Sequence, residues 1–352
     1  VVSWTLGDRV KVKEMVSGVW QPTTTVATTS TFYYTDVDVS ADGSTASLAY
    51  TTGSCCEGGD VQVRFESGSG WGSPTTVSST ARGSRPIVVL DADGSRAYAA
   101  WRESSVGGDE RVLVARRDGS WSAPTPVGLI DPEEWGGTIS LAVSDGGTKA
   151  VAVWDGESGS SSDVVRSAVY KGGAWKKLVV GSGARGCVGY GAKEFTAVYR
   201  SPINSAGSVR SRLLVGKAWK DYQEIGTTAR YQGVGCAVAG DGSAGLAVWG
   251  RDGQIESARL VRLAKAKKIR VKAKAIKRDK VRVRATWVVP SYAVAAKVKL
   301  SAPGGKFRGK KWTSSKLSSV SKKVRADRTY RIRIKVRTPG GWGPVATKRF
   351  RS

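Results

Sequence analysis

One spacing constrains this chain more than any other feature. An alternating small-and-apolar strand that closes on an aromatic residue recurs about every 50 residues. It reads "SADGSTASLAY" (40–50), "DADGSRAYAAW" (91–101), "VSDGGTKAVAVW" (143–154) and "AGDGSAGLAVW" (239–249), with a weaker copy, "GAKEFTAVY" (191–199). The closing aromatics Tyr50, Trp101, Trp154, Tyr199 and Trp249 are 51, 53, 45 and 50 residues apart. A second phrase, "GVWQPTTTV", "GWGSPTTV", "SWSAPTPV", "AWKKLVV" and "AWKDYQEI", keeps the same period through Trp20, Trp71, Trp121, Trp175 and Trp219. Two independent markers on one period specify a stacked or circular array of like units.

Each unit holds four strand-like runs, for which "RPIVVLDA" (85–92), "RAYAAWR" (96–102), "RVLVARR" (111–117) and "WSAPTPVG" (121–128) are the best example. Four short strands per repeat and no 3.6-residue periodicity describe the blade of a β-propeller. The Asp-Gly pair is expected to form a two-residue hairpin turn from the innermost strand to the second, and the closing aromatic to pack between blades. The count is about six four-stranded blades, N-terminally incomplete. The opening "VVSWTLGDRVKVKEMVSGVW" supplies only a second, third and fourth strand, and a lost N-terminus is expected.

Charge divides the chain in two. Residues 1–259 hold 26 Lys+Arg against 27 Asp+Glu, whereas residues 260–352 hold 30 against 2. Such asymmetry marks a domain boundary and an anionic partner for the basic half. We place the propeller at 1–262 and a basic β-sandwich at 263–352. In the latter, "KIRVKAKAIK" (268–277) and "YRIRIKVR" (330–337) alternate apolar or small residues with basic ones. The alternation buries Ile269, Val271, Tyr330, Ile332, Ile334 and Val336, and turns Lys268, Arg270, Lys272, Lys274, Arg331, Arg333, Lys335 and Arg337 outward as anionic-polymer ligands.

Two resemblances follow from these residues. "VRVRATWVVPSYAVAAKVKL" with "DRTYRIRIKVRTPGGWGPV" resembles a fibronectin type III domain, with Trp287, Leu317 and Tyr330 at its core positions; that family is an adhesive and spacing module with no activity of its own. The first 260 residues resemble the sialidase-like propeller repeats of secreted bacterial proteins, in which an "A-x-A-x-W" strand alternates with a "W-x-x-P" strand. Sialidases bind a sugar carboxylate through an arginine triad and use a Tyr nucleophile assisted by a carboxylate. The chain lacks the "F/Y-R-I-P" motif and the "S-x-D-x-G-x-x-W" spacing of that family.

The chain has no His, which removes Ser-His-Asp and Cys-His nucleophile systems and any His-bearing metal site. No metal or other cofactor is expected, and no apolar run approaches the roughly 20 residues of a membrane-spanning helix. Cys187 and Cys236, 49 apart on successive inner strands, are disulfide candidates. Cys55 and Cys56 are adjacent, and a vicinal disulfide, two free thiols or exchange with another chain all remain open. The even cysteine count suits an oxidising compartment and thus a secreted or cell-surface protein.

The loops that enter the inner strands carry Arg82, Arg185 and Arg230, with Arg85 and Tyr231 beside them and Asp131, Glu133 and Glu134 in an equivalent loop. Guanidinium groups at the channel mouth suit a carboxylate, sulfate or phosphate. The expectation is a secreted, non-enzymatic surface-binding protein. Its propeller would recognise a glycan or protein, and its sandwich an anionic polymer such as a cell-wall polymer; nucleic acid ranks lower. The alternative is a sialidase-like glycoside hydrolase acting on acidic sugars.

Overall fold

The computed structural model describes residues 1–28, 34–53, 58–68, 70–104, 109–130, 138–156, 164–191, 194–201, 207–228, 233–239, 245–251, 253–260, 267–277, 280–289, 295–301, 312–314, 319–338, 341–342 and 345–352. The fold is all-β and built from many small antiparallel sheets. Apart from the segment Asp241–Gly245, the chain divides into two compact units, Val1–Arg259 and Leu260–Ser352.

The first unit is a series of blade-like sheets in chain order. The first joins Val2–Leu6, Arg9–Lys13 and Thr24–Thr28. The next four begin on the inner strands Thr35–Val39, Gly83–Leu90, Ile139–Val143 and Ala184–Gly191, and a sixth on Val234–Val238. Each inner strand from the second sheet to the fifth packs against that of the following sheet. This is the propeller arrangement that the repeat specified.

An aromatic plug fitted into a backbone socket joins one blade to the next. In the outer strands a bulge leaves Val26, Val127, Val180 and Ile225 unpaired and is followed by Ala27, Gly128, Gly181 and Gly226. A Cβ on Gly128 would lie 2.2 Å from Trp154, on Gly181 2.5 Å from Tyr199, and on Gly226 2.3 Å from Trp249. The indoles of Trp154 and Trp249 then donate to the carbonyls of Leu129 and Thr227 in the same outer strands, at 2.9 and 2.7 Å. The closing aromatics are accordingly buried, Trp101 and Tyr199 completely. The glycines are required here because the backbone must approach a ring, as bulge glycines commonly allow.

The Asp-Gly turns differ from the two-residue hairpin that the sequence suggested. The loop Asp91–Ser95 spans five residues. The Asp91 amide donates to the Arg96 carbonyl at 3.0 Å, and the Gly94 amide to the Asp91 carbonyl at 3.2 Å. Only the Gly takes positive φ, at 73° in Gly43, 72° in Gly94 and 63° in Gly147. The residue three before that Gly closes the loop with its side chain. Ser40 Oγ, Asp91 Oδ1 and Ser144 Oγ accept the amides of Thr45, Arg96 and Lys149. A longer loop wins because this side chain supplies the acceptor that a tight turn would take from the backbone. The turns also interlock, as Arg96 Nη1 and the Tyr98 hydroxyl each donate at 2.8 Å to the next turn, at Gly146 and Gly147.

Side chains cover the inner strand edges. Asp36 Oδ2 accepts the amide of Val88, Asp38 Oδ2 that of Leu90, and Ser140 Oγ that of Val188, each reaching from one blade to the next. Cys187 and Cys236 add a covalent link between the fifth and sixth inner strands, with Cα atoms 5.9 Å apart.

The second unit contains two antiparallel sheets around one core. Lys267–Lys277, Lys280–Val288 and Ser319–Arg325 form one. Trp312–Ser314, Ala295–Ser301, Thr329–Thr338 and Ala346–Arg351 form the other, in that spatial order, with Gly341–Trp342 pairing at one end. Trp287 and Ala285 meet Val298, Leu300, Ile332, Ile334 and Val336 between them. Tyr330 ties the strand entry to the preceding corner: its hydroxyl accepts the Arg325 amide at 3.1 Å and donates to the Arg325 carbonyl at 3.3 Å. Tyr330→Phe is expected to cost about 1–2 kcal/mol, the net loss of these bonds, measured as a shift in urea midpoint with unchanged slope. Leu317 lies outside the described residues.

Candidate functional site at the inner strands

The inner strands all enter at one rim, where the second strands end. The pairs Thr35↔Tyr50, Ser84↔Arg102, Ile139↔Trp154 and Ala184↔Arg200 fix this end in four sheets. Side chains gathered here bridge one blade and the inner strand of the next.

At the second and third blades, "YTDVDV" places Tyr34, Asp36 and Asp38 on one side of a strand by simple alternation. Asp36 and Asp38 each spend one oxygen on the neighbouring inner strand. Burial pushes the Asp36 carboxyl up to about 6; the Val88 amide opposes the shift and the nearby Asp38 charge adds to it. Burial also raises Asp38, against the amides of Leu90 and Val39. Arg85 reaches in from the third blade, its guanidinium 5.0 Å from the centre of the Tyr34 ring.

At the fourth and fifth blades, Asp155 ends a second strand and is 3 % exposed. Its Oδ1 accepts the Arg185 amide at 2.6 Å, while Oδ2 accepts from the amide and hydroxyl of Thr138 at 3.2 and 3.3 Å. Arg185 Nε is buried and has no hydrogen-bond partner among the described residues.

Arg85 and Arg185 occupy one structural position. Both have left-handed φ, 49° and 54°, inside the bulges Ser84/Ile87 and Ala184/Cys187 at the start of an inner strand. For non-glycine residues such a conformation is uncommon and worth attention at a functional site. Arg82, which the loop alignment grouped with Arg185, instead sits exposed in the turn before this bulge. Arg230 and Tyr231 lie outside the described residues, as do Asp131, Glu133, Glu134, Cys55 and Cys56.

The basic residues of the second unit are placed separately. Lys268, Arg270, Lys272 and Lys274 are exposed on one sheet, and Arg333 and Lys335 on the other, where Arg331 is half-buried. Arg337 belongs to the same strand as Arg333.

Sequence inspection named Arg85 and Arg185 but missed Asp36, Asp38 and Asp155. The available signal was the pair of Asp residues two apart on the innermost strand, where an alternating acid usually marks a solvated face. A cavity of about 350 Å³ lined by Glu14, Arg64, Glu66 and Trp71 lies on the third and outer strands of the first two blades, away from these groups. Among the described residues no cluster of three Cys, Asp or Glu side chains could hold a metal ion, and no helix is long and apolar enough to cross a membrane.

No protein family and no characterised protein sequence matches the chain. Solved structures do. An exo-β-1,3-galactanase from Phanerochaete chrysosporium matches at 11 % identity over 87 % of this chain and 93 % of its own, with a TM-score of 0.35. A GH43_1 enzyme from Xanthomonas citri matches at 10 % identity over 65 % and 87 %, also with a TM-score of 0.35. AofleA from Arthrobotrys oligospora matches at 10 % identity over 90 % and 82 %, with a TM-score of 0.42. The first two are glycan-acting enzymes. They run against the sequence-based expectation of a non-enzymatic surface-binding protein, and that expectation is corrected here.

Proposed function

We propose that the first unit is a glycoside hydrolase acting on acidic sugars. The observation that carries this reading is the carboxyl pair Asp36 and Asp38 on an inner strand, with Arg85 of the next inner strand set against Tyr34 of the same face. A carboxyl group with a pKa of about 6 is protonated often enough near neutrality to serve as a general acid. Asp36 takes that role and protonates the departing glycosidic oxygen. Two residues of strand rise set the Asp36 and Asp38 backbones about 7 Å apart, and carboxyl groups that keep this spacing leave room for a water between them, as an inverting reaction needs. Asp38 then acts as the base toward that water, and Arg85 holds the substrate carboxylate by charge-assisted hydrogen bonds.

The finer assignments belong to the same proposal. Kinship of the blades to sialidase-like repeats rests on their strand phrases. A fibronectin type III-like character for residues 263–352, following a propeller at 1–262, is supported by the sheet order and the Tyr330 corner. A secreted or cell-surface location is supported by the Cys187–Cys236 disulfide, since such bonds persist in oxidising compartments.

The test is turnover of chromogenic sialosides and uronides against matched neutral glycosides. Turnover is expected for acidic substrates only, with kcat/KM falling as pH rises through about 6. Asp36→Asn should lower kcat by about 100- to 10,000-fold, the usual contribution of a positioned acid. The same variant keeps an acceptor for the Val88 amide and removes a buried charge. A carboxyl whose pKa is raised by folding stabilises the fold below its unfolded value, near 4, and that stability is lost as pH rises through about 6. Asp36→Asn is therefore expected to melt higher than the wild type at pH 8. Turnover undiminished in this variant, or none on any acidic glycoside, would sink the assignment.

A further inference from the structure

The second unit carries its charge in a pattern that solubility does not explain. A small domain needs a net charge of only about 2–8 to stay soluble, yet residues 260–352 hold 30 basic residues against 2 acidic ones. The strand registers then set like charges directly opposite one another. On the first sheet Lys274 faces Arg282, which faces Lys323, and Lys272 faces Arg284. On the second sheet Lys299 faces Arg333, and Arg331 faces Arg349. No carboxylate occupies any of these opposing positions. Directly opposed like charges destabilise a sheet, so both faces carry a cost that an anionic ligand would relieve.

We infer that the second unit is a two-faced binder that bridges two segments of linear acidic polysaccharide. The two sheets enclose one core, so their outer faces point in opposite directions and cannot share one straight polymer segment. Neighbouring strands set cationic rows about 4.8 Å apart, and alternate residues along a strand repeat near 6.8 Å, giving a flat lattice of point charges. Among the described residues of this unit the exposed large apolar side chains are Ile276, Val288 and Val345, scattered singly among the basic rows. Rows of charge at a fixed spacing on a flat face suit a polymer whose own charges repeat along one extended chain, and an acidic polysaccharide has that form. The inference does not depend on the activity proposed for the first unit.

The experiment uses the full chain with long dextran sulfate, a short sulfated oligosaccharide and DNA at matched charge. Long polymer is expected to be cross-linked, seen as light scattering that appears near charge balance and disappears in high salt. The short oligosaccharide should bind at two sites per chain by titration calorimetry, without scattering. Arg282→Glu/Arg284→Glu alters one face, and Lys299→Glu/Arg333→Glu the other. Each pair should remove one site and the scattering, and the combined variant should lose affinity by at least about tenfold, with a shallower salt dependence. Neutralising Gln versions should bind likewise and melt no lower than the wild type, because they relieve repulsion. One site per chain, or scattering that survives loss of one face, overturns the two-faced reading. Tighter binding of DNA than of dextran sulfate overturns the choice of polymer.

Discussion

Trp154→Ala is expected to lower the stability of the first unit by about 3–5 kcal/mol, the range for removing a buried Trp. The ring is 1 % exposed and sits among Tyr98, Ala100, Val112, Val127 and Ile130 of the preceding blade, so its loss empties a joint between sheets. The socket makes the prediction sharper. Gly128→Val places new atoms where Trp154 already stands, at 2.2 Å from the first added carbon. That overpacking should cost about 1–3 kcal/mol or more by itself. In the Trp154→Ala background the same Val enters vacated space, and the double variant should be more stable than the sum of the single effects allows. Residues in contact typically couple by about 0.5–3 kcal/mol in such a cycle. Additive costs, measured by denaturant unfolding of all four proteins, would show that Gly128 is retained for some reason other than Trp154.

Replacing Cys187 and Cys236 together by Ser is expected to cost about 4 kcal/mol, the loop-closure value for a loop of this length. The bond closes a separation of 49 residues and joins the inner strands of two successive blades. Calorimetry with and without reductant checks this. The wild type should lose its upper transition when reduced, while the double Ser variant should melt at the lower temperature under both conditions. Equal melting of reduced and oxidised wild type would mean that the inner strands hold together without it.

Much of this was legible in the sequence because the relevant signals are periodic. The closing aromatics and the alternating strands of the basic half each announce a buried face, and the structure buries Trp101, Trp154, Ile332 and Ile334 accordingly. What escaped notice is the other half of each contact. Gly128, Gly181 and Gly226 carry no periodic signal of their own, since a glycine in a strand looks locally like an interruption. Their role exists only once a ring from the next repeat lies over them. Asp36 and Asp38 escaped for a related reason: strand alternation alone does not distinguish a face open to solvent from one turned toward a neighbouring inner strand. Arg85 differs from Arg82 by three residues in the same loop, and a two-residue skip in the strand pairing decides which of them matches Arg185.

The plug and its socket also give the array a direction. Every socket lies on an outer strand, and the ring that fills it comes from the blade made next. The outer strand of a blade emerging from the ribosome is thus covered only once its successor has been made. Duplicating or deleting any whole repeat preserves one plug for one socket, wherever in the period the two cuts fall. Such a chain could therefore gain or lose whole repeats without leaving a ring or a socket glycine unmatched within the array.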